Sequence, residues 1–107
     1  MKLLMRYVVV AWLGLAMQVQ AEDVPGQVLA EKQGCFSCHG VSMGKRGPAF
    51  AAVSKHYANQ VDAASWLKEK IRQGGTGVWG TRKMPPQSQL SDEELAALTA
   101  WVLGLPQ

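Results

Sequence analysis

The residues best placed to do chemistry are consecutive: Cys35-Phe36-Ser37-Cys38-His39. A Cys-x-x-Cys-His run reads as an attachment site for c-type haem. Two thiols three positions apart can reach both vinyl groups on one edge of a porphyrin and close thioethers. The next residue is then held under the iron, where the His39 imidazole can bind as proximal ligand.

Three rival chemistries use the same residue types. A plain disulfide needs nothing more than the two thiols. A thioredoxin-like redox pair belongs in a βαβ unit, whereas here a helical pattern comes before the cysteines. A structural zinc site would need two further ligands, and the chain has only two cysteines and one other histidine, His56. Haem attachment is therefore the reading adopted.

An iron held this way needs a sixth ligand. Met84, in Lys83-Met84-Pro85-Pro86, is the candidate. A methionine is more often core filler than ligand, but this one sits in an irregular stretch with two prolines stiffening the backbone beside it. Its thioether is a soft donor suited to reduced iron, and Met/His ligation raises the reduction potential. Met43 lies four residues past His39 and could not cross to the opposite face in so short a span. His56 reads as one residue of an ordinary helix.

The elements that must position these residues are helical. Gln27 to Gln33 reads as a short helix ended by Gly34 directly before the cysteines. Gly40 to Pro48 is turn-rich. Ala49 to Ala58 is a second helix with Phe50, Val53 and Tyr57 on one face, and Asp62 to Gln73 a third with Trp66, Leu67 and Ile71 as its apolar stripe. Gly74 to Gln89 reads as a long irregular segment, a feature uncommon in compact domains unless it serves function. Ser91-Asp92-Glu93-Glu94 is a capping box opening a last helix, which runs to about Gly104 with Leu95, Leu98 and Val102 inward. No stretch has the alternation of a strand.

Gly75-Thr76-Gly77-Val78-Trp79-Gly80 matches the dinucleotide fingerprint G-x-G-x-x-G. That fingerprint must follow a strand and open a helix. Here a helix precedes it and prolines follow, so it is set aside; the glycines are expected to let backbone pass close to the macrocycle.

The first 21 residues read as a secretory signal peptide. Lys2 and Arg6 form a basic start, Tyr7 to Met17 an apolar run too short to span a membrane, and Ala21 a small residue suited to cleavage. Residues 22–107 then form one domain, small enough that a covalent cofactor would materially help its core. Of the 11 Lys and Arg in the chain, Lys2 and Arg6 leave with the signal, so nine face eight Asp and Glu and the net charge is +1 rather than +3. There is no basic stripe with interleaved aromatics, so nucleic acid is not an expected partner.

Cys-x-x-Cys-His, Gly47-Pro48-Ala49-Phe50, Gly77-Val78-Trp79-Gly80, Met84-Pro85-Pro86 and the closing Trp101-Val102-Leu103, in this order, resemble a small bacterial class I cytochrome c across essentially all of residues 22–107. The resemblance implies an all-α fold of about four short helices wrapped around one haem c, bound covalently at Cys35 and Cys38, with iron between His39 and Met84. It also implies that the Pro48 carbonyl accepts the second imidazole N–H, which fixes the ring and tunes its donor strength. Trp79 should lie against the haem near a propionate. Read alone, Pro48 is a turn residue and Trp79 a core aromatic.

The function implied is that of a soluble, monomeric periplasmic carrier shuttling single electrons between redox protein partners. Such a carrier needs no catalytic acid, base or nucleophile, and no such constellation is present. Lys45, Arg46, Arg82 and Lys83 flank the segments expected to rim the exposed haem edge, where they would steer partners with acidic faces. Three other readings stand beside this one. A relay subunit of a periplasmic sulfur-oxidising or nitrite-reducing complex would co-purify with a larger chain. A ligand-binding or peroxidatic haem protein would lack Met84 on the iron. A disulfide oxidoreductase would be colourless.

Overall fold

The computed structural model describes Gly14 and residues 25–106. The expected signal peptide, Gly14 apart, lies outside the described residues. Four helices make the architecture: α1 (Gly26–Lys32), α2 (Phe50–Tyr57), α3 (Ala63–Gln73) and α4 (Asp92–Leu103). Their bounds fall within one residue of those expected at nearly every end. Helix α4 is the hub against which α1, α2 and α3 all pack.

Local sequence explains the helix ends. Gly34 takes a left-handed conformation at φ 77°, which a residue with a Cβ rarely adopts, and so stops the chain after α1. Helix α4 begins with the expected capping box: the Ser91 hydroxyl accepts from the Glu94 amide at 3.1 Å, and the Glu94 carboxylate accepts from the Ser91 amide at 3.0 Å. Asp92, Glu93 and Glu94 all lie in the first turn, where the helix dipole favours negative charge.

The core has two lobes. Phe50, Val53, Tyr57, Ala63, Leu67 and Val102 form one; Leu29, Ala30, Leu90, Leu95 and Leu98 form the other. Cys35, Phe36, Ile71 and Trp101 pack against both, so the cysteine turn sits at the seam. Phe36, Phe50 and Trp101 meet edge to face, with centroids 5.3 to 6.0 Å apart, the arrangement that aromatic quadrupoles prefer. The expected inward faces of α2 and α4 are the buried ones. In α3, Leu67 is buried but Trp66 is 42% exposed and lies over Tyr57 instead, ring centroids 5.7 Å apart.

One expectation is corrected. The segment after α3 is not irregular throughout: β1 (Gly75–Gly77) and β2 (Gly80–Met84) form an antiparallel hairpin, with Gly75 opposite Met84 and Gly77 opposite Gly80. It carries no alternating pattern because three of its paired positions are glycines and nearly all of it is exposed. Gly75, Gly77 and Gly80 have φ between 113° and 128°, so glycine here sets backbone shape rather than marking a phosphate loop. The ladder slips between Gly75 and Gly77.

Candidate functional site

Between α1 and α2 the chain makes two tight structures back to back. Cys35–Ser37 is a single 3-10 turn, and the amides of Cys38 and His39 both donate to the Cys35 carbonyl, at 3.1 and 3.0 Å. The turn-rich stretch that follows folds back on it: the Gly47 amide donates to the Cys38 carbonyl at 2.7 Å, and the Lys45 ammonium to the Phe36 carbonyl at 2.9 Å. Both cysteines are half-buried free thiols. Burial, with the neighbouring Cys38 adding to it, pushes the Cys35 thiol pKa up; a backbone hydrogen bond offsets part of this. That is opposite to the depressed thiol of a redox-active Cys-x-x-Cys pair.

The His39 ring is gripped on three sides. Its Nδ1 lies 2.8 Å from the Pro48 carbonyl oxygen. A carbonyl can only accept, so Nδ1 carries the proton and Nε2 is left with its lone pair free to bind a metal. One face of the imidazole stacks on Phe50, centroids 4.7 Å apart and 18° from parallel. Gly47 closes the third side: a Cβ there would stand 2.5 Å from Cε1 of the ring.

Met84 ends β2, opposite Gly75 in the ladder. Beyond it, Pro85-Pro86 fixes the backbone, and the Gln87 amide donates back to the carbonyls of Ile71 and Arg72 at the end of α3, at 3.2 and 3.1 Å. The methionine is therefore held from both directions along the chain.

These residues share one crevice. His39, Cys38, Pro48, Met84 and Trp79 line a cavity of about 630 Å³ whose wall is mostly apolar, with Tyr57, Leu67 and Ile71 behind. A hollow of about 150 Å³ shares His39 and Met84 with it and is reached by Cys35. Imidazole, thioether and thiol donors around an apolar slot, with the imidazole tautomer already set for metal binding, are the donor set and surroundings that haem c requires. The alternatives fall elsewhere: Met43 is 77% exposed at a loop tip, and neither it nor His56 lines the cavity. Among the described residues, no cluster of three or more His, Cys, Asp or Glu could hold another metal.

Trp79 lines the cavity yet is 45% exposed. It reaches α2 through His56, ring centroids 5.1 Å apart. Burial pushes the Tyr57 pKa above the usual phenol value, and the Trp79 contact offsets part of that. Arg46, Arg82 and Lys83 stand on the cavity wall, while Lys45 is turned to the cysteine loop. The grip by Phe50 and Gly47 and the Tyr57 wall were not singled out from sequence. Their only trace was the Gly47-Pro48-Ala49-Phe50 string and the α2 face.

A family model described as Cytochrome c matches residues 24–106. Cytochrome c-552 of Hydrogenobacter thermophilus is 41% identical over 100 residues, covering 94% of this chain and 97% of that protein. Cytochrome c-551 of Pseudomonas aeruginosa is 39% identical over 90 residues, covering 84% of each. The crystal structure of wild-type Nitrosomonas europaea cytochrome c552 superposes with a TM-score of 0.72 at 41% identity, over 75% of this chain and 99% of that one. The chain belongs to the cytochrome c family, as a small class I member of all-α fold whose cofactor is covalently attached haem c and whose work is electron transport.

Proposed function

We propose that this protein is a periplasmic one-electron shuttle. Cys35 and Cys38 would hold the haem covalently, His39 Nε2 and the Met84 sulfur would hold its iron, the Pro48 carbonyl holds the His39 N–H, and Trp79 would border the haem. The observation that carries the reading is the His39 grip: a ring whose Nδ1 proton is committed 2.8 Å from Pro48 presents Nε2 to a crevice that Met84 also lines.

The haem supplies reversible one-electron exchange at iron. The protein's part would be to keep the His39 and Met84 donors in place whichever charge the bound group carries, so that little rearranges on electron transfer. Phe50, Gly47 and Pro48 do this for His39; the ladder and the Pro85-Pro86 stop do it for Met84. With His39 and Met84 both holding the iron, no position would be left for a substrate, and the chain would serve electron transfer alone. Arg46, Arg82 and Lys83 on the cavity wall favour a redox partner with an acidic face, and the complex would form more slowly as salt rises.

Residues 1–21 act as the export signal, and residues 22–107 work as a monomer. No helix among the described residues is long and apolar enough to cross a membrane.

The test is the visible spectrum of purified periplasmic protein in both oxidation states, alongside the Met84→Ala variant. Wild type is expected to show the far-red iron–sulfur band when oxidised and to resist carbon monoxide when reduced; the variant should lose the band and bind carbon monoxide. A band that survives the substitution would remove Met84 from the iron. Intact mass of the exported protein should begin at Glu22.

A further inference from the structure

Gly74 follows the last residue of α3, and the chain returns to that helix end with Met84 to Gln87. On one side Gly75 pairs with Met84 in the hairpin; on the other the Gln87 amide donates to the Ile71 and Arg72 carbonyls. Gly74 lies between these two ties. A Cβ built there would stand 2.8 Å from both the Pro85 carbonyl carbon and the Pro86 nitrogen, and closer still to the Met84 carbonyl oxygen. All three are backbone atoms, two of them in consecutive prolines, so none can swing aside as the tip of a side chain would. Gly74 also has φ 65° and ψ −151°, a combination that a residue with a Cβ rarely adopts. Stopping a helix accounts for that conformation: the Gly74 amide closes the last turn on the Lys70 carbonyl at 2.8 Å. It does not account for the crowding. Gly34, at φ 77° after α1, has nothing within 4 Å of the same point.

We infer that Gly74 is a positioning residue for Met84: its missing side chain lets the backbone from Met84 to Pro86 lie directly on the end of α3, and that contact holds the Met84 thioether at the crevice it shares with His39. The inference rests on the reading of Met84 as an iron ligand. A methyl group at position 74 would push this backbone away from the helix. The Met84 sulfur would then leave with it or hold on against the strain. Crowding at position 74 therefore competes with the bond that Met84 makes, and Met84 yields more readily to an outside ligand.

The experiment compares Gly74→Ala with wild type as holoproteins, with Ser54→Ala as a control that costs stability elsewhere in the fold. Each is measured for the far-red iron–sulfur band when oxidised, carbon monoxide affinity when reduced, and the urea midpoint. Gly74→Ala should weaken the band and bind carbon monoxide roughly 5- to 150-fold more tightly, because the strain of one misplaced methyl is released when Met84 gives way. Ser54→Ala should lower the midpoint and leave the band and the affinity as in wild type. If Gly74→Ala does not accumulate with haem, the Gly74→Ala/Pro86→Ala pair, whose freer backbone can step round the methyl, is compared with Pro86→Ala in the same way. A band and an affinity unchanged by Gly74→Ala in either background would mean that the glycine serves only the helix end, and would overturn the inference. Equal changes in Ser54→Ala would overturn it too. A wild type without the band, or a Met84→Ala variant that keeps it, would instead overturn the reading of Met84 itself and the inference with it.

Discussion

The imidazole of His39 lies 18° from parallel to the ring of Phe50, with centroids 4.7 Å apart. The pair explains why Gly47 precedes Pro48. With Phe50 on one face and the Pro48 carbonyl on Nδ1, the ring has no room to turn away from a side chain at position 47.

Gly47→Ala should therefore cost stability. A Cβ 2.5 Å from Cε1 and 2.8 Å from Nδ1 forces the ring or the loop to move, and overpacking of this kind costs about 1–3 kcal/mol. Gly44→Ala in the same loop, where nothing comes closer than 3.6 Å, should stay within about 0.5 kcal/mol of wild type. Urea unfolding of the three holoproteins checks this; equal losses would mean that the grip on His39 is not tight.

Ser54 anchors the end of the chain. Its buried hydroxyl lies 3.1 Å from the Leu103 carbonyl and 3.0 Å from that of Leu105, and its single proton is shared between them. Ser54→Ala leaves both acceptors unpaired and should cost about 1–3 kcal/mol. At roughly 4–8 °C per kcal/mol for a domain of this size, the melting temperature should drop measurably. Hydrogen exchange at the end of α4 should quicken first.

At the start of α4 a cap and an ion pair can be compared directly. Ser91→Ala removes the capping hydroxyl, at about 1 kcal/mol. Arg72 pairs with Glu69 at 2.8 Å and with Asp92; both carboxylates are exposed and Arg72 is partly so, and Arg72→Ala should cost only about 0.2–1 kcal/mol. Denaturant midpoints in low and high salt separate the two, because only the Arg72 effect should shrink as salt rises.

Tyr57 sets an alkaline limit. Its pKa is raised in the folded protein, chiefly by burial, so its contribution is fully present below the ordinary phenol value near 10 and is lost as pH rises through the higher folded value. Unfolding free energy should decline above about pH 10, and the decline should be shallower in Tyr57→Phe. Equal slopes in the two proteins would assign the alkaline loss to other groups.

Much of this molecule is legible in its sequence because the signals are local. The Cys35-to-His39 run reads out within five residues, the capping box at Ser91 within four, and the inward faces of α2 and α4 follow from helical period. Met84, singled out for the prolines beside it and its separation from His39, lines the same crevice as His39. The hairpin escaped because β1 and β2 are short, exposed and rich in glycine, so side-chain alternation had nothing to write with. Trp66 escaped because period alone cannot tell a residue that enters the core from one that lies over a neighbour's ring.

The sequence by itself determined the chemistry on offer: two thiols and an imidazole at fixed spacing, a later thioether, and the helices that separate them. Only the tertiary structure decided how that chemistry is held. The proton on His39 Nδ1 is set by a carbonyl nine residues away, the ring plane by Phe50, and the crevice by α2, α3 and the hairpin together. Helix ends and turns depend on neighbours along the chain, which a sequence states outright; a stacking partner or a cavity wall depends on what folding brings within a few ångströms, which it does not.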